Sequence, residues 1–185
     1  PVAETPSASR ETHGRLPVRI LENTLRNCSR QRITVREAAT GAPSGERAIR
    51  LTPAVRKAYA ETDVEAGQRY LVLVAPDLSP EDKYAALAVE LSRIFCGHLG
   101  DDADAGWPDR RDLDLEQSLL EAEAAAFLVC RRKGLKASFP RLATPPADED
   151  RELPTISLHT LLQAAGHIEA MGKQPWRRPR KRGRT

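Results

Sequence analysis

An α+β domain, mainly helical with a small β-sheet, is the fold class this sequence predicts, and three observations predict it. Apolar residues make up 40% of the 185 residues but aromatic ones only 4%. The core must therefore come from Leu, Ala, Val and Ile, which suit helices packed at close range better than a sandwich. Second, residues 80–95 and 114–133 carry apolar residues at helical spacing between clear start and stop signals. Third, Tyr70-Leu71-Val72-Leu73-Val74 is a short apolar run of the kind a buried strand shows. The length suits one core and leaves little room for a second.

Residues 1–15 are rich in Pro, Ser, Thr and charge without an apolar face, and are expected to be disordered. Val18, Leu21 and Leu25 recur at helical spacing within a short helix over 16–28, and Ile33 opens a short extended segment over 33–35. Residues 48–52 alternate as a half-buried strand does, and 69–75 form the stronger strand. The helix over 80–95 has Ser79 as N-cap, Pro80 at its first position and Glu81 and Asp82 at its positive end. Its apolar face is Tyr84, Leu87, Ala88, Leu91, Ile94 and Phe95, and Gly97 and Gly100 mark its end. After a polar loop over 101–111, the helix over 114–133 has acids early, Arg131, Arg132 and Lys133 late, and Gly134 as its stop. Residues 144–154 read as a linker or surface loop. A last helix over 157–171 carries Leu158, Leu161, Leu162, Ala165 and Ile168 as an amphipathic stripe. No internal repeat is present.

Cys28, Cys96 and Cys130 have neither zinc-finger nor CxxC spacing and follow no apolar leader, which leads to the expectation of a reducing, cytoplasmic setting. No apolar run approaches the roughly 18 to 20 residues that spanning a bilayer needs, so no membrane partner is expected. The net charge of +3 conceals an asymmetry: residues 173–185 hold seven of the 29 basic residues and no acid, leaving 22 against all 26 acids elsewhere. Arg177, Arg178, Arg180, Lys181, Arg182 and Arg184 are the candidate polyanion-binding residues, through which the chain could contact nucleic acid. The plainer expectation for this segment is a solvated, disordered tail, because no aromatic stacking pattern accompanies the charge.

The segment 119–130 is apolar nearly all round apart from Glu121 and Glu123, as in a largely buried helix. Residues two apart point in nearly opposite directions, so at most one of the two is expected to look into the core. A buried carboxylate requires a cation, a metal or several donors, and its partner identifies the site.

The run 78–100, LSPEDKYAALAVELSRIFCGHLG, resembles the active-site helix of ImmA/IrrE-type zinc metallopeptidases, which follows a hydrophobic strand much like 70–74. WPDR at 107–110 and EAEAAAFLVC at 121–130 resemble the later part of that domain, where a helical Glu supplies the third metal ligand. The resemblance covers 69–134 well and the last helix loosely. It implies a zincin-like domain over 16–172 between a disordered 1–15 and a basic disordered tail over 173–185.

In an HExxH helix two imidazoles four residues apart bind zinc, and the Glu between them acts as general base on metal-bound water. Here the frame reads VExxR. Glu90 stands at the base position as a relic, whereas Val89 has no lone pair and Arg93 is a cation where the ion would sit. No cofactor is therefore expected, and the relic positions are Val89, Arg93 and, through the resemblance, the third-ligand Glu121. Arg93 is expected to replace the missing ion's charge by pairing with Glu121, chosen over Glu123 on the family's frame, with Val89 as packing. The alternative geometry has Arg93 swinging to solvent or bonding only Glu90, one turn back. The function this implies is a catalytically degenerate pseudoenzyme that binds a protein partner or regulates, the partner being of the repressor-like class on which the family acts. Two other readings stand beside it: an active zinc peptidase with atypical ligands, for which Cys96 and His98 are the nearest candidates, and a nucleic-acid binder using the tail. Ser92 lacks a His at a readable spacing, so a serine nucleophile is unsupported.

Overall fold

A computed structural model describes residues 12–38, 47–58, 67–100, 106–143 and 154–173. The elements run α1 (Val18–Arg30), β1 (Ile33–Glu37), β2 (Arg47–Arg50), α2 (Pro53–Ala58), β3 (Tyr70–Val74), α3 (Pro80–Phe95), α4 (Leu115–Arg132), α5 (Pro140–Ala143) and α6 (Leu158–Lys173). The class is α+β with helix dominant, as the composition requires. Among the described residues no helix is long and apolar enough to cross a membrane.

The sheet has the order β1-β3-β2, with β1 parallel and β2 antiparallel to β3. Every residue of β3 is buried, because this central strand is covered on both faces. Tyr70, Val72 and Val74 enter the main core among the helices, while Leu71 and Leu73 pack with Leu51, Ile49 and Val55 on the other side. That second cover includes α2, which the periodicity did not announce because six residues are too short to show it. Its local signal is Thr52 before Pro53: the Thr52 hydroxyl accepts from Val55 N at 3.3 Å, as an N-cap does.

α3 is the centre of the molecule. Its start is as expected: Ser79 Oγ accepts from Asp82 N at 3.1 Å, with Pro80 in the first turn. All six residues of the expected apolar face are buried, and so are Ala85, Ala86, Val89, Glu90 and Ser92. A helix buried well beyond one stripe contributes about 1.5 to 3 kcal/mol for each large apolar side chain removed from water. α4 lies against it, begun by Asp114, whose carboxylate accepts from Gln117 N at 2.7 Å. α6 joins α4 through Arg132 and Glu169, 3.0 Å apart. Two asparagines of α1 close the end of α6: Asn27 donates to Met171 O at 2.7 Å and Asn23 to Gly172 O at 3.2 Å.

Four expectations are corrected. Ordered chain begins before residue 16: Thr12 N donates to Asp82 Oδ1 at 2.9 Å, and His13 forms an antiparallel bridge with Lys136. Backbone pairing of this kind needs no apolar side chain, so composition could not reveal it; residues 1–11 lie outside the described residues. The α6 stripe is narrower than predicted, since Leu161, Ala165 and Ile168 are buried whereas Leu158 and Leu162 are exposed. In α1, Val18 is exposed, whereas Leu21 and Leu25 pack partly buried against the core and Thr24, Asn27 and Cys28 are buried. Glu121 and Glu123 are both buried, which the next section explains. Of the proposed linker over 144–154 only Pro154 is described, and the basic stretch with Arg177, Arg178, Arg180, Lys181, Arg182 and Arg184 lies outside the described residues.

Candidate functional site

The site grows from the end of α3. Gly97 adopts φ +80°, a conformation that an L side chain resists, and the chain turns there. A Cβ at this position would lie 2.0 Å from Pro108 O. The missing side chain thus lets the 106–110 segment approach, and Arg110 N donates to Gly97 O at 3.0 Å. Trp107 packs on Phe95 and His167, with ring centroids 4.9 and 4.8 Å away. One glycine therefore positions His98 and Arg110 together.

Both meet at Glu121, whose exposure is 1%. Its Oε2 accepts from Arg110 Nη1 at 2.6 Å and lies 2.7 Å from His98 Nε2, while its Oε1 accepts from Ser157 N at 2.9 Å. Burial pushes this carboxyl upward, but the hydrogen bonds from His98, Arg110 and Ser157 together outweigh it and hold it below the usual carboxylate range. Glu121 is thus an anion joining the end of α3, the loop and the start of α6. The sulfur of Cys96, a ring nitrogen of His98 and a carboxylate oxygen of Glu121 lie within 4.8 Å of one another. His98 Nδ1 is buried and has no hydrogen-bond partner among the described residues. Burial first, then the Glu121 charge, pushes the Cys96 thiol up to about 12, so it is no nucleophile at neutral pH.

Residues 89, 90 and 93 lie in a separate set of contacts. Val89, 4% exposed, packs in the core. Glu90 Oε2 accepts from Ala48 N of β2 at 2.5 Å and from Arg93 Nη1 at 3.0 Å. Arg93 therefore bonds Glu90 within its own helix, and the expected Arg93–Glu121 pair does not form. The physical reason is that Glu121 already has three donors, one of them a guanidinium from the loop. Ser92 donates to Ala88 O at 2.7 Å, a back-bond that engages its hydroxyl within the helix.

Glu123 points away from Glu121, as the helix geometry demands. It is nevertheless buried, because α5 covers it: Arg141 donates to it through its backbone N and its Nη1, both at 2.9 Å. Sequence reasoning missed Arg110, Arg141 and Ser157 as carboxylate partners. Isolated carboxylates on an apolar helix announce that partners exist, but not which loop brings them.

The zinc of an HExxH centre does not fit residues 89–93. Val89 is packing, and the guanidinium of Arg93 engages the carboxylate that would serve as base. No family model matches the chain, and no curated protein or solved structure matches it.

Proposed function

We propose that the chain is a catalytically degenerate relative of the ImmA/IrrE-type metallopeptidases, with a zincin-like arrangement retained for binding a protein partner or for regulation. The observation that carries this reading is the fate of the VExxR frame. Glu90, at the general-base position, is tied to Ala48 N and Arg93, and Val89 is packed in the core. A base must reach a metal-bound water, and this carboxylate is spent on a strand and an ion pair. Glu121, at the third-ligand position, has a guanidinium as its cation. These contacts support a fold held together without a catalytic ion. The family resemblance points to a repressor-like regulator as the class of partner.

Proteolysis tests the reading. The purified chain, incubated with unfolded casein and one equivalent of zinc, is expected to cleave nothing above background, and Glu90→Gln to change nothing. Zinc-dependent cleavage that disappears in Glu90→Gln would contradict it.

A further inference from the structure

We infer that Cys96, His98 and Glu121 form a zinc site, displaced from the VExxR frame, that ties the end of α3 to α4. The donors are one sulfur, one imidazole and one carboxylate, a mixed set that suits zinc and not the oxygen-seeking Mg²⁺ or Ca²⁺. They come from two elements that pack together, and their donor atoms already lie within 4.8 Å of one another. Tetrahedral zinc places such donors about 3.3 to 3.8 Å apart, so side-chain adjustments of about 1 Å complete the geometry.

A second observation points to a ligand. The His98 side chain is 3% exposed, yet its Nδ1 has no hydrogen-bond partner among the described residues. A buried ring that satisfies one nitrogen and strands the other is incomplete as a purely structural histidine. Metal binding changes the use of the ring, since one nitrogen ligates through its lone pair. The Cys96 thiol gives up its proton on coordination. Thiolate and carboxylate then balance the ion's two charges.

Arg110 is the competitor. Its Nη1 holds the same Glu121 oxygen at 2.6 Å, and its side chain is 18% exposed, so it can withdraw toward solvent when the ion binds. Three protein donors leave the fourth position of tetrahedral zinc to water. Glu90, the one residue of the frame with base chemistry, faces Ala48 N and Arg93 instead. The inference goes beyond the pseudoenzyme reading and does not depend on it.

Cobalt(II) titration of the untagged full chain under reducing conditions tests it, with zinc as the displacing ion. One equivalent is expected to produce a thiolate-to-cobalt charge-transfer band in the near ultraviolet that zinc abolishes. Cys96→Ser should remove the band, and His98→Gln should weaken binding at least about tenfold. Arg110→Gln should strengthen it, an effect that a merely structural trio would not show. Because a variant can lose metal by misfolding, circular dichroism accompanies each titration. Zinc should also raise the melting temperature of the parent and not that of Cys96→Ser. No band in the parent, or a band unchanged in folded Cys96→Ser, overturns the inference and leaves the pseudoenzyme reading untouched. Zinc-dependent proteolysis would instead count against that reading.

Discussion

The guanidinium of Arg110 lies 2.6 Å from the carboxylate of Glu121, a group only 1% exposed, across the turn that Gly97 makes possible. Removing the cation leaves an anion at the helix interface with only His98 and Ser157 N. Arg110→Ala is therefore expected to cost about 2 to 4 kcal/mol in urea unfolding, less than a fully desolvated pair because Arg110 is partly exposed. The folded Glu121 carboxyl titrates below its unfolded value. Its contribution is thus fully present above the unfolded carboxylate range and is lost as pH falls through the folded value. In Arg110→Ala the folded value rises toward the unfolded one, so this acid-side loss should be smaller and complete at higher pH. Arg93→Ala should cost only about 1 kcal/mol, since Glu90 retains Ala48 N.

Gly97 and Gly134 both adopt positive φ, +80° and +77°, but only Gly97 is crowded. Gly134→Ala should cost about 1 kcal/mol from backbone conformation alone. Gly97→Ala must also displace Pro108 and, with it, Arg110, so a loss at least about 2 kcal/mol larger is expected. Equal thermal shifts for the two variants would show that the 106–110 approach matters little.

Glu123 is 2% exposed, and among the described residues both of its donors belong to Arg141. Glu123→Ala strands the Arg141 backbone N–H and should cost about 1 to 3 kcal/mol. Arg141→Ala keeps the backbone bond and loses a half-exposed pair, for less than about 1 kcal/mol. Faster proteolytic nicking near α5 in the first variant and not the second would distinguish them.

His167 lies against Phe95 and Trp107, and burial pulls its imidazole down to about 4. The unfolded chain binds this proton near pH 6.5, so stability is complete above that value and declines as pH falls toward 4, by on the order of 2 to 3 kcal/mol. His167→Phe keeps ring packing and removes the titration. Its unfolding free energy should vary less between pH 6.5 and 4 than that of the parent.

The long helices were legible because their caps and their polar-to-apolar boundaries are local. Ser79 and Pro80 act as the sequence suggests, and Asp114, expected as the first residue of its helix, is the N-cap just before it. The short helices α2 and α5 were not legible, since four to six residues carry no period. The buried carboxylates of α4 could be read as needing partners, but Arg110 reaches Glu121 through a turn and Arg141 reaches Glu123 through a separate helix. Reading Arg93 as the partner of Glu121 assumed that charge replacement would come from within the motif. The loop supplied it first, and Arg93 then had only its neighbour one turn back. Cys96 and His98 were noticed for their chemistry; their approach to Glu121 depends on the backbone at Gly97, where only the stop signal was visible.

Placing two histidines in the VExxR frame tests the central proposal most directly. In a Cys96→Ser/His98→Gln background, which removes the displaced site, zinc bound per chain is measured after equilibrium dialysis with and without Val89→His/Arg93→His. About one equivalent is expected only when both histidines are present, because two imidazoles four residues apart on one helix supply the ligands that Val89 and Arg93 lack. One equivalent retained without them, accompanied by peptide cleavage that requires Glu90, would contradict the account.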